Sequence, residues 1–175
     1  MYEFAPQITP IIDHIIDSVR SFRPEITISI AFIGTIFCSL FADRYWKQAS
    51  FSVFLIGLLS AAYLTHVQNT ENIPVFFDML RIDTFSQYAR LIILFAVAII
   101  GVYIQQYGSY QLPKKRLGDI YSILLATTLG LHLLTLTTHW IMAFIAVEMV
   151  SIGSYVLVAY FAQNKKESEA AMKYV

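Results

Sequence analysis

The chain has 175 residues, of which 57% are hydrophobic and 14% charged, whereas an average soluble domain has roughly 25% charged residues. Twelve basic residues balance twelve acidic ones, so the net charge supplies no basic field of the kind that nucleic-acid binding requires. The single cysteine, Cys38, excludes a disulfide framework and, without a cluster of other ligands, a zinc or iron–sulfur site. We therefore expect a membrane protein that binds no nucleic acid, no metal and no cofactor of its own.

Residues 1–24 are predicted to form an amphipathic N-terminal extension. Glu3 and Asp17 lie where a signal peptide would have an apolar core, which argues against that class of segment. Aliphatic residues recur at steps of three and four and so share one helix face: Ile8, Ile11, Ile12, Ile15, Ile16 and Val19. The opposite face is acidic and suits an anionic lipid surface poorly. We expect a helix that lies at the membrane interface or packs on another subunit, and that Pro24 separates from the first apolar stretch.

Five apolar stretches occupy most of the region 25–175. A bilayer core of about 30 Å requires roughly 17–25 mostly apolar residues in each spanning helix. The stretches are predicted to span the lipid bilayer at about 26–42, 51–66, 88–104, 120–138 and 140–161. The start of a sixth helix is predicted at 168–175. The fold class is thus an all-α membrane protein with about five transmembrane helices after the amphipathic helix.

Basic residues in alternate connections predict the orientation, because lysine and arginine are retained on the cytoplasmic side. Eight lie on one side: Arg44, Lys47, Lys114, Lys115, Arg116, Lys165, Lys166 and Lys173. Four lie on the other: Arg20, Arg23, Arg81 and Arg90. This bias predicts an N-terminus outside and a C-terminal end in the cytoplasm.

Glu148 is an acid deep inside the fifth apolar stretch. It follows Trp140 by eight positions, which at about 1.5 Å per residue places it about 12 Å into the membrane. An ionisable group at that depth is costly and usually functional, and Ser151 and Tyr155 extend a polar stripe along the same helix face. Glu148 is interpreted as a carboxylate whose proton affinity changes when a cation approaches. The alternative is a buried acid that holds helices together through hydrogen bonds.

His132 lies in a second polar stripe, on the fourth stretch, with Thr128, Thr135 and His139 at steps of four, three and four. If the residues at 138 and 139 form a tight turn between antiparallel helices, His132 lies at nearly the same depth as Glu148. His132 is therefore a second candidate for proton translocation. The alternative is a histidine that only bridges helices.

The last 60 residues carry the clearest resemblance to a known family. The blocks VEMVSIGSYVLVAY at 147–160 and SEAAMKY at 168–174 resemble the antiporter-like membrane subunits of proton-pumping NADH–quinone oxidoreductase, bacterial complex I, of the subunit N type. PEI at 24–26 resembles the start of the family's first helix, and MLRIDTFSQYARL at 79–91 the approach to its third.

The resemblance implies the first part of an antiporter-like fold with about 14 helices, in which two inverted bundles form half-channels for protons. By motif match, Glu148 takes the place of the family's key glutamate, and Glu169 and Lys173 those of the acid and lysine in the SEAAxKY block. His132 matches no family motif. The resemblance also implies that NADH and quinone are used by the whole complex and that this chain itself binds no cofactor. Its partners would be other membrane-arm subunits in a bacterial inner membrane.

The resemblance also implies that a lysine partner for Glu148 and the second bundle lie beyond Val175, so the chain is interpreted as an N-terminal fragment or a split subunit. Two other functions stay open: a subunit of a multi-subunit cation/proton antiporter, and a structural membrane assembly protein. Glu169 and Lys173 are spaced i, i+4, so the alternative for them is a surface ion pair on a helix.

Overall fold

The computed structural model of the chain describes residues 5–42, 48–111, 117–162 and 165–174. Within these ranges there are seven α-helices and one two-stranded antiparallel sheet. The helices are α1 (Ala5–Ser21), α2 (Arg23–Phe37, continued by a π-helical turn over Cys38–Ala42), α3 (Ala49–Val67), α4 (Thr84–Gln111), α5 (Leu117–Leu136), α6 (Trp140–Phe161) and α7 (Lys165–Tyr174). The strands are β1 (Ile73–Val75) and β2 (Leu80–Ile82).

Five of the described helices, α2 to α6, are long and apolar enough to cross a membrane, which confirms the predicted fold class. Helix α4 begins at Thr84, before the predicted span at 88, because Asp83 caps it. The Asp83 carboxylate accepts the Ser86 N–H at 2.7 Å, and the Ser86 hydroxyl accepts the Asp83 N–H at 3.1 Å. This reciprocal arrangement satisfies backbone donors that a helix start leaves unpaired. The basic residues at 44, 47 and 114–116, which carry much of the orientation prediction, lie outside the described residues.

Helices α2 to α5 form the core. Ile28, Phe54, Ile120 and Leu125, one from each of α2 and α3 and two from α5, are fully buried in it. Small residues let membrane helices approach closely, since lipid offers no hydrophobic driving force between them. At the α2–α3 crossing, a Cβ placed on Gly57 would lie 2.3 Å from the Ala31 Cβ, closer than two carbon atoms can pack.

Helix α6 lies at the edge of the bundle. It packs on α5 through Gly130 and Gly153, where an added Cβ would meet Met149 and Thr127 respectively. In the α5 span 56% of the residues are buried, whereas in the α6 span only 11% of the residues are buried. The described residues therefore cover α5 from several sides and leave most of α6 uncovered.

A short hairpin, which the sequence patterns did not predict, connects α3 to α4. Strand β1 pairs with β2 in the register Ile73↔Ile82 and Val75↔Leu80. The turn between them holds Phe76, Phe77 and Asp78 with φ of 53°, 58° and 63°, a left-handed conformation that costs energy for residues other than glycine.

The hairpin is held from both sides, which explains how this strained turn persists. Its Phe76 N–H donates to the Ser18 hydroxyl of α1 at 3.1 Å, and the His14 ring stacks on Phe77 with centroids 4.8 Å apart. On the other side, the Thr138 N–H between α5 and α6 donates to the Met79 carbonyl at 3.1 Å. The hairpin thus closes one end of the helix bundle.

Helix α1 has the predicted amphipathic pattern and contacts the hairpin along one edge. Ser18 is buried at 4% exposure, whereas the isoleucine stripe stays 40–48% exposed over Ile11, Ile12, Ile15 and Ile16. A role for 1–24 as a separate extension stays a prediction.

Candidate functional site

Three charged or ionisable side chains from three helices meet near the hairpin end of the bundle. Glu25 of α2, Arg90 of α4 and His132 of α5 are each 0% exposed. Arg90 Nη1 donates to Glu25 Oε1 at 2.8 Å, and His132 Nδ1 lies 3.4 Å from the same oxygen. We call these three residues the buried cluster.

The local sequence explains how Glu25 and Arg90 are placed in the buried cluster. Pro24 suits the start of α2, because proline has no N–H and a backbone N–H at this position would have no partner within the helix. Glu25 lies in the first turn of the same helix, where the helix dipole favours an acid. Arg90 lies almost two turns inside α4, where its Nε donates to the Ser86 carbonyl at 3.2 Å and its Nη2 to Gln68 Oε1 at 2.8 Å. These contacts satisfy the guanidinium, as burial of a charge requires.

Two atoms of the buried cluster are left without a partner. Among the described residues, no group makes a hydrogen bond with Glu25 Oε2 or His132 Nε2, and both atoms are buried. Such atoms are uncommon in folded proteins because each costs free energy comparable to a lost hydrogen bond.

A cavity of about 240 Å³ is separated from the buried cluster by the side chain of Gln68, because none of the three cluster residues lines it. Gln68 lines it together with the polar residues Arg20, Arg23 and Asn69 and the apolar Ile73 of the hairpin. Since Gln68 also accepts from Arg90, one side chain belongs to both the cavity wall and the buried cluster.

Asp83 lies just before the first residue of α4, outside the apolar span. Its surroundings change the pKa of its carboxyl group. The backbone N–H of Ser86 holds the pKa of the Asp83 carboxyl below its ordinary value, partly opposed by burial. The positive charge of Arg90 acts in the same direction as the N–H. Asp83 is therefore ionised at neutral pH and contributes negative charge near Arg90.

Glu148 lies on the uncovered face of α6. Its side chain is exposed, although the neighbouring Ala146 is fully buried against α5. No hydrogen bond or ion pair joins Glu148 to another described residue. Solvent exposure decreases along the polar stripe of α6, because Glu148 is exposed whereas Ser151 and Tyr155 are half-buried.

His132 and Glu148 are not brought together, although α5 and α6 do form an antiparallel pair. The face of α5 that contacts α6 contains Thr127 and Gly130. His132 contacts Glu25 of α2 instead. The two sequence-predicted candidates therefore belong to separate places in the chain.

Glu169 and Lys173 form the ion pair that their spacing predicts, with Nζ 2.8 Å from Oε1. The Glu169 and Lys173 side chains are 62% and 75% exposed, so solvent screens the attraction between them. Helix α7 contacts α6 where the Tyr174 ring meets the Tyr155 ring edge-on at 5.7 Å. The role of the pair in proton translocation stays a prediction.

Sequence reasoning missed Glu25, Gln68 and Arg90 as site residues. A signal was present, because Glu25 and Arg90 are charges within the PEI and MLRIDTFSQYARL blocks that carried the family resemblance. Arg90 was instead counted among the basic residues of a connection. That count needs correction, because Arg90 lies inside the predicted span at 88–104 and inside α4, where it pairs with Glu25.

No group of three or more metal-ligating side chains occurs in the part of the chain that the structure describes. The chemistry that the described residues support is that of charge and proton binding by carboxylates, an imidazole and a guanidinium.

Comparison with known proteins bears on the origin of this arrangement. Residues 137–175, which include Glu148, Glu169 and Lys173, match the family described as NADH:quinone oxidoreductase/Mrp antiporter, TM. An NADH-quinone oxidoreductase subunit N 2 from Chloroherpeton thalassium is 32% identical over 98% of this chain. The chain is similar to this family of membrane subunits over most of its length.

Further relatives agree over most of the chain. A subunit N from Anaeromyxobacter is 28% identical over 95% of the chain, and an NAD(P)H-quinone oxidoreductase subunit 2 from Prochlorococcus marinus is 30% identical over 90%. The chain spans about a third of the length of these relatives, with 34%, 32% and 30% of each covered. The family and the five apolar helices make it a multi-pass membrane protein.

Proposed function

We propose that the chain is part of a membrane-arm subunit of an NADH–quinone oxidoreductase and helps to couple electron transfer from NADH to quinone with proton translocation. The subunit would move charge, whereas electron transfer would take place in other subunits. It would lie in a bacterial inner membrane, with the hairpin end of the bundle outside. Its partners would be other membrane-arm subunits and the lipid bilayer.

The observation that carries this proposal is the position of Glu148. The carboxylate lies within a 22-residue apolar helix, on a face that the described residues leave uncovered. A carboxylate facing lipid would be costly, so we expect a neighbouring helix that offers a cation or water. Approach of a lysine would favour the ionised form of Glu148, and its withdrawal would favour the protonated form.

Glu169 and Lys173 supply a second charged pair, at the far end of the bundle from the hairpin. Their side chains are largely exposed, so their charges can respond to elements packed on α7. We propose that they are charges through which α7 acts on the Glu148 region, while His132 belongs to a separate site in the buried cluster.

A subunit of a cation/proton antiporter is the second candidate, because the family description at residues 137–175 includes Mrp antiporters. The names of the relatives that match most of the chain favour the oxidoreductase. Co-purification with NADH- and quinone-linked subunits would support the first candidate, and co-purification with other antiporter subunits the second.

The test of Glu148 is a Glu148→Gln substitution in the complete gene, with the assembled complex studied in membrane vesicles. We expect NADH oxidation to drive severalfold less proton translocation while the complex still assembles. Glu71→Gln is the matched control, because Glu71 is an exposed acid in the connection before β1 and should leave pumping unchanged. Full pumping by an assembled Glu148→Gln complex would refute the role given to Glu148 and favour a structural one.

A further inference from the structure

The two unpartnered atoms of the buried cluster have the same hydrogen-bonding character. A carboxylate oxygen such as Glu25 Oε2 can only accept. In a neutral imidazole one nitrogen donates and the other accepts, and His132 Nδ1 faces the Glu25 carboxylate at 3.4 Å. The ring hydrogen therefore lies on Nδ1, which makes Nε2 an acceptor too. Both buried atoms require a hydrogen-bond donor.

The adjacent cavity offers a source for that donor. Its volume of about 240 Å³ exceeds the roughly 30 Å³ that one water molecule occupies in the liquid. Its wall carries polar side chains, among them Asn69 and Gln68, and Gln68 contacts Arg90 directly. Water has two donors and fits a polar site of this size.

We propose that Glu25 Oε2 and His132 Nε2 bind buried water reached through the Gln68 cavity, and that His132 Nε2 exchanges a proton with this water. When a hydronium ion delivers the proton, one of its O–H bonds breaks, an N–H bond forms at Nε2 and neutral water remains. The buried cluster is then a protonation site separate from Glu148. Its assignment to proton translocation, though not its water binding, rests on the proposed function.

The charges around His132 suit a site that gains and loses one proton. Glu25 and Arg90 compensate one another at 2.8 Å, and Asp83 adds negative charge near Arg90. Protonation of Nε2 would convert it from an acceptor into a donor toward water.

The first test is His132→Asn in the complete gene, with pumping measured in vesicles across a range of pH. The asparagine amide can replace Nδ1 and keep the contact with Glu25, but it has no atom in the place of Nε2. We expect the complex to assemble, pumping to fall severalfold, and the pH profile to lose the inflection that His132 causes. His66→Asn is the control, because His66 is an exposed histidine near the end of α3 and should change neither quantity.

The second test does not depend on a variant that folds. A density map of the wild-type complex at a resolution that shows water should contain a water peak within hydrogen-bond distance of Glu25 Oε2 and a water peak within hydrogen-bond distance of His132 Nε2. A side chain from elsewhere in the complex that fills either position, or a map with no peak at either atom, would overturn the water site. An unchanged pumping rate and pH profile in assembled His132→Asn would overturn the proton exchange.

These outcomes are separable from failure of the proposed function. Loss of pumping in Glu148→Gln together with normal pumping in His132→Asn would leave the proposed function standing and refute the proton exchange. Normal pumping in Glu148→Gln would count against the role of that carboxylate, whereas the water peak would still decide the binding site.

Discussion

Glu25 and Arg90 are separated by 65 positions in the sequence, yet their side chains meet at 2.8 Å with no solvent exposure of either. The pair ties the start of α2 to the second turn of α4, and His132 adds α5 to the same point. Removing one partner of a buried ion pair is usually more damaging than removing both, because a single charge is then left in a medium that cannot solvate it.

Arg90→Met should therefore destabilise the protein by about 3–5 kcal/mol and lower the amount of assembled complex. The double variant Glu25→Gln with Arg90→Met should be clearly less destabilised, since neither charge remains. Thermal midpoints of the purified complexes, arranged as a double-mutant cycle, measure the coupling. Additive effects of the two substitutions would show that the pair is not a unit.

Gly57→Ala should weaken the contact between α2 and α3. The new methyl group would lie 2.3 Å from the Ala31 Cβ, so the helices must separate, and overpacking of this kind costs about 1–3 kcal/mol. Gly34→Ala is the matched control, because its methyl group would meet the Val53 side chain at 3.2 Å, where a small shift suffices. Equal thermal midpoints for the two variants would contradict the close crossing.

Asp83→Ala should remove the cap of α4 and cost about 1 kcal/mol at neutral pH. Because the folded-state pKa of Asp83 lies below its ordinary value of 3.8, the ionised carboxylate stabilises the fold fully above that value. This stabilisation is lost as the pH falls through the lowered pKa. The stability difference between Asp83→Ala and wild type should thus shrink in acid.

Unfolding measured in detergent from neutral to acidic pH would test this dependence. Asp13→Ala is a suitable control, since Asp13 is an exposed acid on α1 and should show no comparable difference. A gap between Asp83→Ala and wild type that stays constant as the pH falls would show that the carboxylate charge is not what stabilises α4.

Lys173→Ala should change stability little, by about 0.3–0.5 kcal/mol before screening by solvent, because the pair with Glu169 is largely exposed. If Lys173 has the proposed role in proton translocation, pumping should fall while the amount of assembled complex stays normal. Lys165→Ala is the control, since it removes an exposed lysine from the start of the same helix. Equal pumping by the two variants would count against the role.

The number of membrane helices could be predicted from the sequence, because hydrophobic runs of sufficient length have few other stable arrangements. The hairpin at 73–82 could not be predicted from the sequence, because its short strands lack a clear alternation of apolar and polar residues. Its turn also holds Phe76 and Phe77 in a left-handed conformation, which sequence patterns assign to glycine or asparagine. Contacts with α1 and with Thr138 stabilise that turn, and those contacts exist only in the folded chain.

The sequence by itself determined the apolar spans, the place of Glu148 within the last of them and the i, i+4 spacing of Glu169 and Lys173, because each depends on local periodicity and on the cost of burying charge. Only the tertiary structure decided that His132 joins Glu25 and Arg90, and that Glu148 lies on an uncovered face of α6. The physical reason is that a helix presents polar groups in several directions, and the packing of the other helices determines which of them meet a partner.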